Sequence, residues 1–174
     1  MYLVISTSLR EASLSRVLAR KAVEELERLT DEVVFVDLKE TSLPFCNAED
    51  CYGHEAVLPI RDLIVRAKGI LIAAPIYNYD VNAAAKNLIE LTGQAWRDKV
   101  VGFLCAAGGH NSYMGVMGLA NSLMLDFRCL VIPRFVYATN HAFEYGEETI
   151  LADEKIQERI RELTFKLVKI GDVM

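Results

Sequence analysis

The chain has 174 residues and a formal net charge of −5, with 52% apolar and 25% charged residues. This length suits one domain spanning residues 1–174, and the apolar fraction is high enough to fill a core and too high for a disordered chain. The acidic balance and the lack of a Lys/Arg cluster exclude a nucleic-acid partner held through phosphates. No apolar stretch approaches the roughly 20 residues of a membrane-spanning helix. With no basic leader at the N-terminus, we expect a cytoplasmic protein without a membrane partner.

Short apolar runs alternate with longer segments of helical periodicity along the chain. The unbroken runs suit strands covered on both faces, and they are Tyr2–Ile5, Val33–Val36, Ile70–Ala74, Val100–Ala106 and Cys129–Ile132. The remaining segments predict helices over Ser15–Leu29, Leu58–Ala67, Ala83–Leu91, Tyr113–Phe127 and Asp153–Lys169. This alternation predicts an α/β fold in which a five-stranded parallel sheet carries helices on both faces. Ligands bind such sheets outside the carboxyl ends of the strands, so the loops after the first, third and fourth strands are the candidates for chemistry.

The loop after the first strand is rich in hydroxyl groups and contains no glycine. The missing glycines exclude a dinucleotide-binding motif of the Gly-rich type. Ser8, Ser13 and Ser15 offer hydroxyl donors, Arg10 offers a planar cation, and the following helix N-terminus offers free N–H groups. This set suits a terminal phosphate monoester. The alternative is a polar loop in which Ser13 or Ser15 only caps the helix.

The third strand leads into a segment of rigid and aromatic residues. Pro75 restricts the backbone and predicts a rigid exit from the strand. Tyr77, Asn78 and Tyr79 follow, with Ile76 between the proline and the tyrosines. Aromatic faces and an amide suit a planar heterocycle. The alternative is a turn that caps the next helix and leaves the tyrosines on the surface.

The fourth strand leads into a glycine pair. Gly108 and Gly109 permit positive backbone angles and the close approach of a ligand ring. Asn111 and Ser112 are suited to begin the next helix. His110 is a candidate to lie over the ligand, and the alternative is an ordinary loop or capping residue.

Together the three loops resemble the NADPH-dependent FMN reductase family, which has a flavodoxin-like fold and includes flavin, quinone, azo-dye and chromate reductases. The resemblance covers the chain to about residue 135 and depends on several short motifs in the family's order. These are Ser8-Leu9-Arg10 with Ser13 and Ser15, Leu43-Pro44-Phe45, Pro75-Ile76-Tyr77-Asn78, Ala85-Lys86-Asn87-Leu88 and Gly108-Gly109-His110.

The resemblance implies a three-layer sandwich with strand order 2-1-3-4-5 and an FMN cofactor reduced by NADPH or NADH. It implies that the phosphate is held by Ser8, Arg10, Ser13 and Ser15. The isoalloxazine edge would be lined by Pro75, Ile76, Tyr77, Asn78 and Tyr79, and the pyrimidine end by Gly108, Gly109, His110 and Asn111. A hydride would pass from NAD(P)H through FMN to a flavin, quinone or similar small acceptor, without a catalytic side chain or a metal. Two alternatives stay open, an FMN electron carrier and a non-catalytic ligand-binding domain.

Three positions depart from the family pattern. Thr7 stands where the family usually has glycine, Ile76 stands where glutamate is common, and Tyr79 stands where glycine is common. Two of these positions, Ile76 and Tyr79, border the expected flavin ring, so they bear on cofactor retention and on the choice of acceptor.

The segment Ser112–Phe127 carries one charged residue, Asp126, and is apolar all around its axis. A helix of this kind must be covered on both sides. Because the resembling family forms dimers or tetramers, we expect a homodimer or homotetramer with this helix at the subunit interface. Cover by the C-terminal segment of the same chain is the alternative. In an oligomer, the aromatic residues able to reach a neighbouring site would be Trp96, Tyr113 and Tyr145.

The four cysteines lack the paired spacing of a zinc site. Cys105 and Cys129 lie in apolar surroundings and are predicted to be buried. Cys46 and Cys51 are five positions apart in a loop, where either two unpaired thiols or a regulatory redox pair is expected.

Overall fold

The computed structural model describes all 174 residues as a central sheet between two helical layers. The strands are β1 Tyr2–Ser6, β2 Val33–Asp37, β3 Gly69–Tyr77, β4 Asp80–Val81, β5 Val100–Ala107, β6 Leu130–Val131, β7 Val136–Thr139, β8 Phe143–Tyr145 and β9 Thr149–Leu151. The helices are α1 Leu14–Glu27, α2 Val57–Arg66, α3 Ala83–Thr92, α4 Met117–Phe127 and α5 Glu154–Gly171. None of these helices combines the length and the apolar character needed to cross a membrane.

The main sheet is parallel in the order β2-β1-β3-β5-β6, with β7 also paired to β5 and the short β4 antiparallel to β3. Since β5 and β6 correspond to the fourth and fifth predicted strands, the predicted order 2-1-3-4-5 is confirmed. The segments β8 and β9 form a separate hairpin. The strand order changes direction between β1 and β3, which places the loops after both strands at the same edge of the sheet.

The fifth strand position is filled by two segments. Val101 of β5 pairs with Val131 of β6, and Leu104 of β5 pairs with Val136 of β7. The two paired positions are thus three residues apart on β5 but five residues apart on the neighbouring segment. The intervening residues contain Pro133, which cannot donate to the ladder. The sequence pattern predicted the first segment and missed the second.

Two apolar cores lie on opposite faces of the sheet. One contains 24 buried residues under α2, α3 and α4, and the other contains 20 buried residues under α1 and α5. The C-terminal helix α5 therefore packs beside α1 and does not cover α4. Cover of α4 by the end of its own chain, the alternative considered above, is wrong.

Two local expectations need correction. The helix predicted from Tyr113, with Asn111 or Ser112 at its start, begins only at Met117, and turns occupy the preceding residues. Trp96 is fully buried, and its indole N–H donates to the Thr92 hydroxyl at 2.7 Å. Trp96 therefore cannot reach a neighbouring subunit.

Candidate functional site

A cavity of about 310 Å³ lies at the carboxyl ends of the central strands. It is formed by the loop after β1, the end of β3 and the end of β5, which are the places that the sequence indicated. Eight predicted site residues line it, namely Ser8, Arg10, Ser13, Ser15, Pro75, Ile76, Tyr77 and Gly108. The other predicted residues lie outside its lining, namely Asn78, Tyr79, Gly109, His110 and Asn111. Asn140, which follows β7, also lines the cavity and was not predicted.

The first turn of α1 is built to receive an anion. The Ser13 hydroxyl accepts from the Arg16 N–H at 3.3 Å and caps the helix, so the capping role considered for Ser13 is confirmed. The Ser13 and Ser15 hydroxyl oxygens lie 3.0 Å apart. The N–H groups of Leu14 and Ser15 have no acceptor within the chain, and both residues line the cavity. The first turn carries no acidic residue, so the positive end of the helix is not neutralised.

Two arginines in this region have different surroundings. Arg10 is exposed at the cavity and its guanidinium forms no ion pair or hydrogen bond within the chain. Arg16 is 7% exposed, and its guanidinium donates to the carbonyl oxygens of Ser8 at 3.0 Å, Arg10 at 2.8 Å and Glu11 at 2.7 Å. It also pairs with the Asp37 carboxylate at the end of β2. Arg10 is therefore available to a ligand, whereas Arg16 holds the loop in place.

Sequence reasoning missed Arg16 because arginine is usually a surface residue. One signal was available, since Arg16 lies three residues before the buried Ala19 on the inward face of α1. The ion pair is a long-range contact that the local pattern does not contain.

Thr7 and Asn82 join the first loop to the start of α3. The Thr7 hydroxyl donates to the side-chain oxygen Oδ1 of Asn82 at 2.8 Å, and the side-chain Nδ2 of Asn82 donates back to the Thr7 backbone carbonyl at 2.7 Å. The Thr7 N–H donates to the Ala73 carbonyl of β3 at 2.9 Å. Both side chains are buried, so the departure from glycine at Thr7 creates a specific cross-link between two loops of the site. Asn82 was not predicted.

The strand β3 continues through Pro75 to Tyr77, so the expected exit from the strand at the proline is wrong. The pairing of β3 with β1 ends at Ala73, so Pro75 lies beyond that ladder and the missing N–H breaks no bond to β1. On this side the Pro75 carbonyl accepts from the Asn82 N–H at 3.2 Å. Asn78 and Tyr79 then form a two-residue turn into β4, with φ angles of 52° and 64°. Both φ angles are positive, as a type I′ hairpin turn requires.

Tyr79 occupies a conformation that favours glycine. This accounts for the family's preference for glycine here and shows that the tyrosine is accommodated at a cost. Gly115, from the loop after β5, packs against the same turn: a Cβ at Gly115 would lie 2.9 Å from Ile76 Cγ2 and 3.0 Å from the Tyr79 carbonyl. The loop after β5 thus reaches its position only because residue 115 is glycine.

The Gly108–Asn111 segment is exposed, and neither Gly108 nor Gly109 adopts a positive φ. The positive angles that the glycine pair permits are therefore not used. The segment is held by Tyr137 of β7, whose hydroxyl donates to the Gly109 carbonyl at 2.5 Å and accepts from the Ser112 hydroxyl at 2.9 Å. Tyr137 was missed because it lies in a segment without usable periodicity.

The model of NADPH-dependent FMN reductases matches residues 2–144. The chain belongs to this family. It is 29% identical over 156 residues to an NAD(P)H-dependent FAD/FMN reductase of Geobacillus thermodenitrificans, covering 87% of this chain and 83% of that protein. It is 28% identical over 170 residues to an NAD(P)H:quinone oxidoreductase of Solanum tuberosum, covering 92% and 87%.

The fold is also similar to that of solved structures. The flavoenzyme FerB of Paracoccus denitrificans, an NAD(P)H:acceptor oxidoreductase, superposes with a TM-score of 0.77 at 21% identity, covering 98% of this chain and 96% of that one. This likeness confirms the flavodoxin-like architecture. The family match makes the chain a member of a group of FMN-dependent NAD(P)H oxidoreductases.

Proposed function

We propose that this protein is an FMN-dependent NAD(P)H oxidoreductase that reduces a flavin, a quinone or a similar small acceptor. One observation carries the proposal for this chain: the uncapped N–H groups of Leu14 and Ser15 lie at the same cavity as the unpaired Arg10. A helix N-terminus with an arginine beside it is suited to bind a phosphate group. Family membership supports FMN as the molecule that carries this phosphate.

The residues at the cavity fit FMN by their chemistry. The volume of about 310 Å³ falls at the lower end of the range for small-molecule sites. Arg10 and the hydroxyls of Ser8, Ser13 and Ser15 would hold the phosphate. The backbone of Pro75, Ile76 and Tyr77 would border one ring edge, with Gly108 at the other end. The neighbouring Asn78, Tyr79, Gly109, His110 and Asn111 lie outside the cavity lining and would extend these two borders.

When bound, FMN supplies the two-electron hydride chemistry that no amino-acid side chain can supply. The residues of the chain would bind the FMN and orient it. The reciprocal Thr7–Asn82 hydrogen bonds hold the first loop against the start of α3, and Arg16 holds it against α1 and the end of β2, before any ligand arrives. This rigidity reduces the entropy that binding would otherwise cost.

We also propose that the protein forms a homodimer or homotetramer through the outer face of α4. Leu125 is 84% exposed, Met124 is 37% exposed, and Met114 just before the helix is 60% exposed. Large apolar side chains exposed on one element are typical of a subunit interface when they lie together. Tyr113 and Tyr145 are exposed, at 44% and 64%, and remain candidates to contact a neighbouring subunit's cavity. A Leu125→Lys variant is expected to shift the mass measured by light scattering toward the monomer.

We further propose that residues 1–174 form a single FMN-binding domain located in the cytoplasm. The single domain is supported by one sheet with a core on each face and by α5, which packs on β5, β7 and α1. The cytoplasmic location is supported by the proposed reductant, because NAD(P)H is available in the cytoplasm. It is also supported by the four free cysteines, because the cytoplasm keeps thiols reduced.

The deciding experiment is a visible spectrum after FMN addition and desalting, followed by anaerobic NADPH. We expect a retained flavin band that bleaches with NADPH. A retained band that stays oxidised would instead support an electron carrier. The absence of both a flavin band and NADPH consumption with excess FMN would contradict the proposal and support a non-catalytic ligand-binding domain.

A further inference from the structure

Cys46 and Cys51 lie outside the cavity assigned to FMN, and their sulfur atoms are 3.8 Å apart. We propose that these two cysteines are a built-in oxidation site, which a hydroperoxide converts into an intramolecular disulfide. The inference does not depend on the proposed reductase activity. It follows from the separation of the thiols, their unequal exposure and the bracing of the loop that joins them.

The two thiols differ in access to solvent. Cys46 is partly exposed and lines a cavity of about 860 Å³ between the 46–52 loop, α3 and α4. Cys51 is 4% exposed and packs with Val57 and Leu91. A small oxidant therefore reaches Cys46 first, and Cys51 is placed to react with the oxidised Cys46.

The loop around the pair is held by side-chain hydrogen bonds. The side-chain oxygen Oδ1 of Asn87 accepts from the Cys46 N–H at 2.9 Å, and the side-chain Nδ2 of Asn87 donates to the Pro44 carbonyl at 2.9 Å. The side-chain oxygen Oδ1 of Asn47 accepts from the Cys51 N–H at 3.4 Å. With the backbone anchored on both sides, closing the 3.8 Å gap to the roughly 2.0 Å of a disulfide needs mainly side-chain rotation.

The electrostatic surroundings of Cys51 favour its thiolate. Burial raises the pKa of this thiol, but the N–H groups of Asn47 and Ala48 and the thiol of Cys46 together lower the pKa below its ordinary value. A thiolate is the form that attacks an oxidised sulfur. The buried member of the pair is therefore suited to complete the disulfide.

The other two cysteines provide a contrast within the same chain. Burial raises the pKa of Cys105 to about 12 and that of Cys129 to about 11. Neither lies beside a second thiol, and both are buried. They should remain thiols under conditions that oxidise the pair.

The reaction balances with a hydroperoxide as the oxidant. The Cys46 sulfur attacks the terminal peroxide oxygen, the O–O bond breaks, and the alcohol or water leaves with the thiol proton. Cys46 becomes a sulfenic acid and the hydroperoxide is reduced by two electrons. The Cys51 thiolate then attacks the sulfenic sulfur, the S–O bond breaks, and the departing hydroxide takes up a proton to form water.

The test uses the full-length reduced protein treated with a small molar excess of hydrogen peroxide. Remaining thiols are then alkylated under denaturing conditions, and the digest is analysed by mass spectrometry. We expect a loss of two hydrogen atoms per chain, a peptide linking Cys46 to Cys51, and alkylated Cys105 and Cys129. Four alkylated cysteines, or linkage only between chains, would overturn the proposal.

Single variants identify the order of the steps. Cys51→Ser should stop the reaction at a Cys46 sulfenic acid that dimedone traps, whereas Cys46→Ser should leave Cys51 as a thiol. Cys105→Ala serves as the matched control and should give the same linked peptide as the wild type. If Cys51→Ser does not fold, the wild-type peptide map still decides the question. Sulfenic acid at Cys46 in the wild type without linkage would also overturn the proposal.

Discussion

Arg16 and Asp37 form an ion pair in which the side chains are 9% and 11% exposed, although one residue lies on α1 and the other ends β2. The same guanidinium holds the carbonyl oxygens of Ser8, Arg10 and Glu11. The conformation of the loop that we assign to the FMN phosphate therefore depends on a buried charge pair. Removing one partner of such a pair costs more than replacing both, because a single buried charge is left without compensation.

Replacing Arg16 by Met should lower the free energy of unfolding by about 3 to 5 kcal/mol, because Asp37 then stays buried and unpaired. Urea unfolding of the apoprotein measures this loss. The double variant Arg16→Met with Asp37→Leu should recover much of it. Arg20→Met on the exposed face of α1 is the matched control and should match the wild type. Equal unfolding midpoints for Arg16→Met and the control would contradict the bracing role.

Replacing Arg10 by Ala should weaken FMN binding without changing the free energy of unfolding. The guanidinium is exposed and unpaired, so stability should be unchanged. FMN affinity should fall by roughly 1.5 to 3 kcal/mol, the usual value of a charge-assisted contact. Isothermal titration of FMN against this variant and against Arg20→Ala separates a local contact from a general charge effect. Unchanged FMN affinity would remove Arg10 from the phosphate site.

Replacing Tyr79 by Gly should raise the free energy of unfolding by about 1 kcal/mol, because the φ of 64° is unfavourable for any residue with a Cβ. Tyr79→Ala is the matched control, since alanine keeps the Cβ and should show no gain. Thermal unfolding of the three proteins in the absence of FMN provides the comparison. An equal gain for Gly and Ala would mean that the side chain, and not the backbone angle, is the source of the cost.

Replacing Gly115 by Ala should destabilise the protein by about 1 to 3 kcal/mol, because the added methyl group meets the Tyr79 backbone, which cannot move aside. Gly118→Ala is the control within the same region. Its Cβ would meet nothing closer than Asp80 Oδ1 at 3.9 Å, and alanine favours the helix, so that variant should be neutral or more stable. Chemical unfolding that ranks the two variants in the reverse order would refute the close approach.

The buried phenol of Tyr2 should make the protein less stable at alkaline pH. Burial raises the pKa of its phenol well above the ordinary value, and the hydrogen bond to Asp172 raises the pKa further. Because the pKa of this phenol is higher in the folded state than in the unfolded state, its contribution to the free energy of unfolding is complete below the unfolded pKa of about 10. This contribution is lost as the pH rises above that value. Between about pH 9 and 11, the wild type should lose more unfolding free energy than Tyr2→Phe. Parallel curves for the two proteins would exclude this contribution.

Local patterns were sufficient to predict the α/β fold class with a parallel sheet. The runs that became β1, β3 and β5 are apolar because both faces of these strands are covered, β2 at the sheet edge is half-buried, and the helices between them carry apolar stripes. Segment type and chain order leave few arrangements for a parallel α/β sheet. The same logic placed the hydroxyl-rich loop, the Pro75 segment and the glycine pair at one edge, where the structure brings Ser8, Pro75 and Gly108 to one cavity.

The sequence by itself thus determined the fold class and the loops that form the site, whereas the strand order was predicted from the family resemblance. Only the tertiary structure decided which side chains hold those loops together. Arg16 with Asp37, Thr7 with Asn82, and Tyr137 with Gly109 are contacts between residues far apart in the chain. No local periodicity encodes such a pair, because each partner is selected by the position that the folded sheet gives it. The same reason explains the missed strand β7, which pairs with β5 only after the chain has passed Pro133.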